Sequence, residues 1–212
     1  MNIPTAEWIG RIPYQEGLFL QEHWVKEAAA SGHERLLLLE HDPVFTIGRT
    51  QDESSLSDRN QLSFPIHRTN RGGQATYHGP GQLVCYPILN LAARGRDLHK
   101  YLRFLEEVNL TILKKYDVNG QRREGLTGVW VENRKITSIG VGVRRWISMH
   151  GFALNVEKNL SGFSDIIPCG ISGVTMTSLS AEIGEDVLIS EVVETTKTIF
   201  LHLLEKLPDG HF

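Results

Sequence analysis

Residues Gly128–Val156, GVWVENRKITSIGVGVRRWISMHGFALNV, hold three apolar, β-branched runs separated by two short polar breaks. Val129–Glu132, Lys135–Val143 and Trp146–Val156 read as strands, with turns at Glu132-Asn133-Arg134 and at Arg144-Arg145. Breaks this short join antiparallel neighbours, since a parallel crossover needs a dozen or more residues. The middle of the chain is therefore committed to a sheet.

The flanks supply the rest of a mixed architecture. Leu83–Leu91 reads as a fully buried strand, and PIHRTN, Pro65–Asn70, as another. Arg35–His41 and Val44–Gly48 read as short buried strands on either side of Asp42-Pro43. Gln51–Phe64 and Asn159–Gly173 read as loops. Gln15–Ser31 reads as a helix that buries Leu18, Gln21, Trp24, Val25 and Ala28 and stops at Gly32. Asp97–Tyr116 carries an apolar stripe from Leu98 through Tyr101, Leu105, Val108 and Ile112. A last helix runs from about Ser190 to Leu207. The expected class is α/β of the α+β type, one domain over residues 1–212, with helices on one side of a mostly antiparallel or mixed sheet.

Composition narrows the function. No run of about 18 apolar residues is present, and MNIPTAEWIGRIPYQEG does not read as a secretory signal. With Cys85 and Cys169 far apart, a reducing cytoplasm is expected. Arg94–Arg145 holds twelve Lys/Arg against six Asp/Glu, while the remainder holds ten against nineteen. A basic segment on an acidic protein argues against nucleic acid and suits an acidic partner, with Arg122, Arg123, Arg144 and Arg145 at turns.

RGGQATYHGPGQ, Arg71–Gln82, concentrates glycine beside a guanidinium and an imidazole. No Gly-Lys-Ser/Thr follows, and Gly72-Gly73 leads into a strand-like run, so neither nucleotide fingerprint fits. A backbone that lets an extended ligand come close does fit. In DIIPCGISG, the small-residue loop leaves Cys169 approachable, whereas Cys85 lies inside an apolar strand. A nucleophilic thiol needs a cation or base, and His78, His150 and Lys135 are the candidates. Lysine held away from water gives up its proton more readily. No cysteine–histidine grouping has zinc-ligand spacing, so neither metal nor cofactor is expected.

Arg71-Gly72-Gly73-Gln74-Ala75-Thr76-Tyr77-His78 with Gly81-Gln82 and Tyr86, RKITSIG with Lys135, MHGFALNV with His150, and IPCGI with Cys169 occur in this order. Together they resemble the motifs of the lipoyl(octanoyl) transferases, the lipoate-protein ligase B family, over roughly Glu40–Ser180. The resemblance implies the catalytic-domain fold of biotin and lipoate protein ligases. It implies octanoyl-acyl carrier protein as donor and a lysine on a lipoyl domain as acceptor, either of a 2-oxo acid dehydrogenase or of the glycine-cleavage H protein. It also implies that Cys169 carries the acyl thioester and that Lys135 lowers the thiol's pKa. Arg71–His78, Ser138-Ile139-Gly140 and Gly151-Phe152-Ala153 would line the acyl pocket, and His150 would support it. Ile139, Gly140, Gly142 and Phe152 would form its apolar tunnel. An ATP-dependent ligase on the same fold, a thioesterase and a non-catalytic carrier-binding module are the rival readings.

Overall fold

A computed structural model describes residues 3–50, 54, 56, 62–167, 174–207 and 211–212. The elements are β1 (Thr5–Ile12), α1 (Tyr14–Ser31), β2 (Arg35–His41), β3 (Val44–Ile47), β4 (Ile66–Arg68), β5 (Thr76–His78), β6 (Gln82–Ile88), α2 (Leu98–Lys115), β7 (Gln121–Arg123), β8 (Leu126–Val131), β9 (Arg134–Arg144), β10 (Ile147–Asn155), β11 (Thr175–Met176), α3 (Leu179–Ile183) and α4 (Ile189–Glu205). The large sheet runs β1-β2-β6-β10-β9-β8-β7, with β11 beside β9. It is antiparallel except for β1 on β2 and β11 on β9.

The helices cover both faces of this sheet, not one. Leu36 and Leu38 of β2 join the core cluster that α2 and α4 close with Leu105, Ile112, Val192 and Phe200. Leu37 and Leu39 point the other way, into a cluster with Val84, Tyr86 and Ala153 against Leu20 and Trp24 of α1. The uninterrupted apolar run RLLLLEH is what a strand buried on both faces requires. α1 ends where Gly32 takes φ 74° and its N–H returns to the Ala28 carbonyl. α2 begins at Asp97, whose carboxylate accepts the Lys100 N–H at 3.0 Å.

After β2 the chain turns at Asp42-Pro43 into a second, three-stranded sheet, β4-β3-β5. Its core joins Phe45 and Tyr77 to Phe163 and Ile166. The loop that enters β5 crosses the large sheet, because the Gly72 N–H donates to the Val141 carbonyl at 2.8 Å. Gly140 is what permits this approach: a Cβ there would sit 2.8 Å from the Gly72 carbonyl oxygen.

Candidate active site

Between the two sheets lies a narrow cleft of about 50 Å³. Its floor is set by strand register. Ser138 stands opposite Ala153, and Gly140 opposite Gly151, on β9 and β10. Alternation puts these four on one face, giving a trough without bulky side chains. Val84, paired with Ala153, and Tyr86 extend the floor on β6. Arg71, Gly73, Gln74, Thr76 and His78 supply the cover, with Tyr14 from the start of α1 and His150 from β10.

The expected residues thus divide. Arg71, Gly73, Gln74, Thr76, His78, Ser138, Ile139, Gly140, His150, Gly151, Phe152 and Ala153 line the cleft. Gly72, Ala75, Tyr77 and Gly142 do not. Gly72 is tied to β9, and Tyr77 turns into the core of the small sheet, with Gly79 and Gly162 against its ring. Ile139 and Phe152 reach the cleft but pack in the α2–α4 core, so the trough is made by small residues rather than by an apolar tunnel. Tyr86, named in the sequence motif, also enters the lining, and Tyr14 and Val84 join it unannounced by any local signal except the burial of β6.

The cover is held by directed hydrogen bonds. The Arg71 guanidinium donates to the Thr46 carbonyl at 2.7 Å, to Thr46 Oγ1 at 2.8 Å and to the Gln74 carbonyl at 2.8 Å. Gln82 Nε2 donates to Asn155 Oδ1 at 2.9 Å and to the Tyr77 carbonyl at 3.2 Å, so its Oε1 accepts from His78 Nδ1 at 2.7 Å. That tautomer leaves the His78 Nε2 lone pair facing Thr46 Oγ1 at 3.4 Å. Asn155 Nδ2 donates onward to the Thr177 carbonyl, and the Thr177 N–H reaches the Lys135 carbonyl, both at 2.9 Å. Thr76 Oγ1 is buried beside these groups and makes no hydrogen bond among the described residues.

His150 departs from strand geometry, with φ 55°. Its N–H donates to Gln21 Oε1 of α1 at 2.6 Å. Its Nε2 donates to Asn70 Oδ1 at 2.6 Å. Such backbone strain persists where the surroundings fix it, commonly at functional sites.

Burial keeps the imidazoles neutral. Desolvation, then the charge of Arg71, holds His150 down to about 3. Desolvation, then neighbouring His41, holds His78 down to about 3. His41 falls to about 4, chiefly by desolvation; it donates to the Ile12 carbonyl and accepts from the Tyr86 hydroxyl. Tyr14, pushed up to about 12 by desolvation, stacks on His78 at 6.1 Å between ring centroids. Below the ordinary histidine pKa of 6.5 the unfolded imidazoles take up protons that the folded ones refuse. Their contribution to stability is therefore complete above 6.5 and falls as pH drops toward 4 and 3, by at most about 1.4 kcal/mol per pH unit for each histidine. Urea unfolding at pH 7, 6 and 5 should show this decline, and His41→Gln should flatten it.

Lys135 is 2% exposed. Its ammonium donates to the Thr127 carbonyl at 3.1 Å and lies 5.3 Å from the centre of the Trp130 ring. Gly128, at φ 125°, gives it room: a Cβ there would sit 2.7 Å from Lys135 Cε. Cys169 falls outside the described residues. The chain leading to it is anchored by Ile166, which bridges to Leu56, and the chain leaving it by Met176, which pairs with Lys135. Among the described residues, no group of three or more His, Cys, Asp or Glu is placed to hold a metal ion, and no helix is long and apolar enough to cross a membrane.

Residues 13–201 match the lipoyl protein ligase A/B catalytic domain. The chain is 53% identical over 196 residues to an octanoyltransferase of Citrifermentans bemidjiense, covering 92% of this chain and 95% of that one. It is 52% identical over 198 residues to an octanoyltransferase of Syntrophotalea carbinolica, covering 93% and 92%. Its fold is that of lipoate-protein ligase A in a crystal structure with bound ATP, at a TM-score of 0.82 and 16% identity over 96% of this chain and 86% of that one. The chain belongs to the lipoyl protein ligase A/B catalytic-domain family, in its octanoyltransferase branch.

Proposed function

We propose that this protein transfers an octanoyl group from octanoyl-acyl carrier protein to a specific lysine of lipoyl domains through a thioester on Cys169. The observation that carries this reading is the trough of Ser138, Gly140, Gly151 and Ala153, a floor that lets a thin acyl chain lie against two strands. The Cys169 thiolate attacks the donor carbonyl carbon, a C–S bond forms, and the carrier leaves as its thiol after taking a proton. The acceptor amine then attacks the same carbon; the C–N bond forms, the Cys169 C–S bond breaks, and the amine proton returns to the thiolate. The first exchange is near energy-neutral and the second makes an amide downhill, so no ATP is required.

Lys135 is the group we assign to activating the thiol. His78 and His150, held near 3 with His78 Nδ1 bonded to Gln82 and His150 Nε2 to Asn70, are poor proton acceptors at neutral pH. His78 accordingly shapes the pocket rather than moving the proton. Residues 1–212 form one acyltransferase domain in this reading, working in the cytoplasm without metal or cofactor. The test is octanoylation of a purified lipoyl domain by octanoyl-acyl carrier protein without nucleotide. Transfer only from free octanoate with ATP would assign the chain to the ligases instead.

Acyl length is set on the trough floor in the same reading. Ala153→Leu adds three carbon atoms beside Val84, at the row next to Gly151. The variant should lose octanoyl transfer yet keep hexanoyl transfer, changing the ratio of the two kcat/KM values by about tenfold, as two methylenes are worth ~1.6 kcal/mol. Equal losses for both chains would mean that Ala153 does not measure the chain.

A further inference from the structure

The tip of the β9–β10 hairpin is built against backbone preference. Arg145 and Trp146 both take positive φ, 52° and 65°. Two-residue hairpin loops of this hand favour Asn-Gly, Asp-Gly or Gly-Gly. Trp146 is partly compensated: its ring packs on the main core, and its carbonyl accepts the Leu91 N–H at 2.7 Å. The Arg145 side chain is exposed and makes no hydrogen bond or ion pair among the described residues, and the same holds for Arg144. Residues kept in a strained conformation without an internal partner are candidates for work outside the chain.

These two arginines face Lys26 across a groove floored by Val25, Ala29 and Ala30 of α1, and among the described residues no acidic one lines it. Five other arginines of the basic segment are occupied. Arg94 makes a buried two-pronged pair with Glu34 at 2.5 and 2.6 Å. Arg103 and Arg122 share Glu106, Arg134 pairs with Glu182, and Arg123 lies over Trp130. The uncompensated positive charge at this groove has an apolar floor and flexible, exposed cations around it, as a rim for an acidic protein surface does.

Both walls of the groove lead to the cleft. α1 carries Tyr14 into the cleft and Lys26 into the groove, about 18 Å apart along the helix axis. β9 carries Gly140 in the trough and leads to Arg145 at the tip, about 17 Å away along the strand. We infer that this groove docks the acyl donor: an acidic carrier protein that holds its thioester at the end of a flexible arm, its body on Lys26, Arg144 and Arg145 and its acyl chain in the trough. This rests on the proposed transferase reading and names where the donor sits.

The test compares two donors on the full-length enzyme, octanoyl-acyl carrier protein and the small neutral thioester octanoyl-N-acetylcysteamine, with the lipoyl domain saturating. Arg144→Glu/Arg145→Glu should lower kcat/KM for the carrier-bound donor by about 30-fold at low salt and remove most of its salt dependence. The small donor should be used at the wild-type rate. Arg145→Gly relieves the positive φ, so it should raise Tm by about 2–4 °C while still weakening use of the carrier. Equal losses with both donors, a raised KM for the lipoyl domain instead, or no change at all would each overturn the inference. Failure of the wild-type enzyme to form a thioester from either donor would strike the transferase reading itself.

Discussion

Cys169→Ala should lower octanoyl transfer to a lipoyl domain by about 10³-fold or more, with the fold intact. Without a thiol there is no atom to hold the acyl group between two macromolecular substrates that arrive in turn. The other cysteine cannot substitute. Cys85 is wholly buried in β6, on the face packed by α2 and α4, and burial pushes its thiol well above the usual value. Cys85→Ala should therefore change stability and leave the chemistry standing. Initial rates for both variants, measured with octanoyl-acyl carrier protein, check this. A Cys169→Ala enzyme that retained a tenth of the wild-type rate would remove the covalent step from the account.

The second large effect is expected at Lys135. Lys135→Met keeps the length and apolar stem and removes the amine. It should cost about 10²- to 10⁴-fold in the rate of Cys169 acylation, the usual worth of a positioned proton-transfer group. Arginine should not rescue it, since a guanidinium does not give up its proton. A Cβ at Gly128 would already sit 2.7 Å from Lys135 Cε, so the glycine leaves little room for a broader head. Stopped-quench measurement of the acyl-enzyme, over pH 6 to 9, separates this from a structural role. A catalytic Lys135 shifts the pH at which acylation saturates; a structural one lowers Tm and leaves the pH profile where it was.

How much of this was legible in the sequence depended on whether a signal was local. The three strands around Lys135 and His150 are read within about three residues of their observed ends, because their breaks are polar and their runs β-branched. α2 is legible from its apolar stripe. β1 is not: Gly10, at φ 84°, interrupts it where the register with β2 shifts, so no clean alternation survives. The covering of both sheet faces was written in the run Leu36–Leu39, whose neighbours on either side only the tertiary fold supplies. Within the site, Tyr77 was expected in the lining, but alternation along the strand Thr76-Tyr77-His78 sends it away from the cleft. Tyr14 and Asn70 had no such signal, since their roles arise from packing against His78 and His150 across the fold.

The proposed chemistry turns on a covalent octanoyl-enzyme. Intact-mass spectrometry of the purified protein mixed with octanoyl-acyl carrier protein, acceptor withheld, measures it directly. A single octanoyl adduct is expected, labile to hydroxylamine, mapped by peptides to Cys169 and cleared when a lipoyl domain is added. An unmodified enzyme, with octanoylation of the lipoyl domain appearing only when octanoate and ATP are supplied, would contradict it.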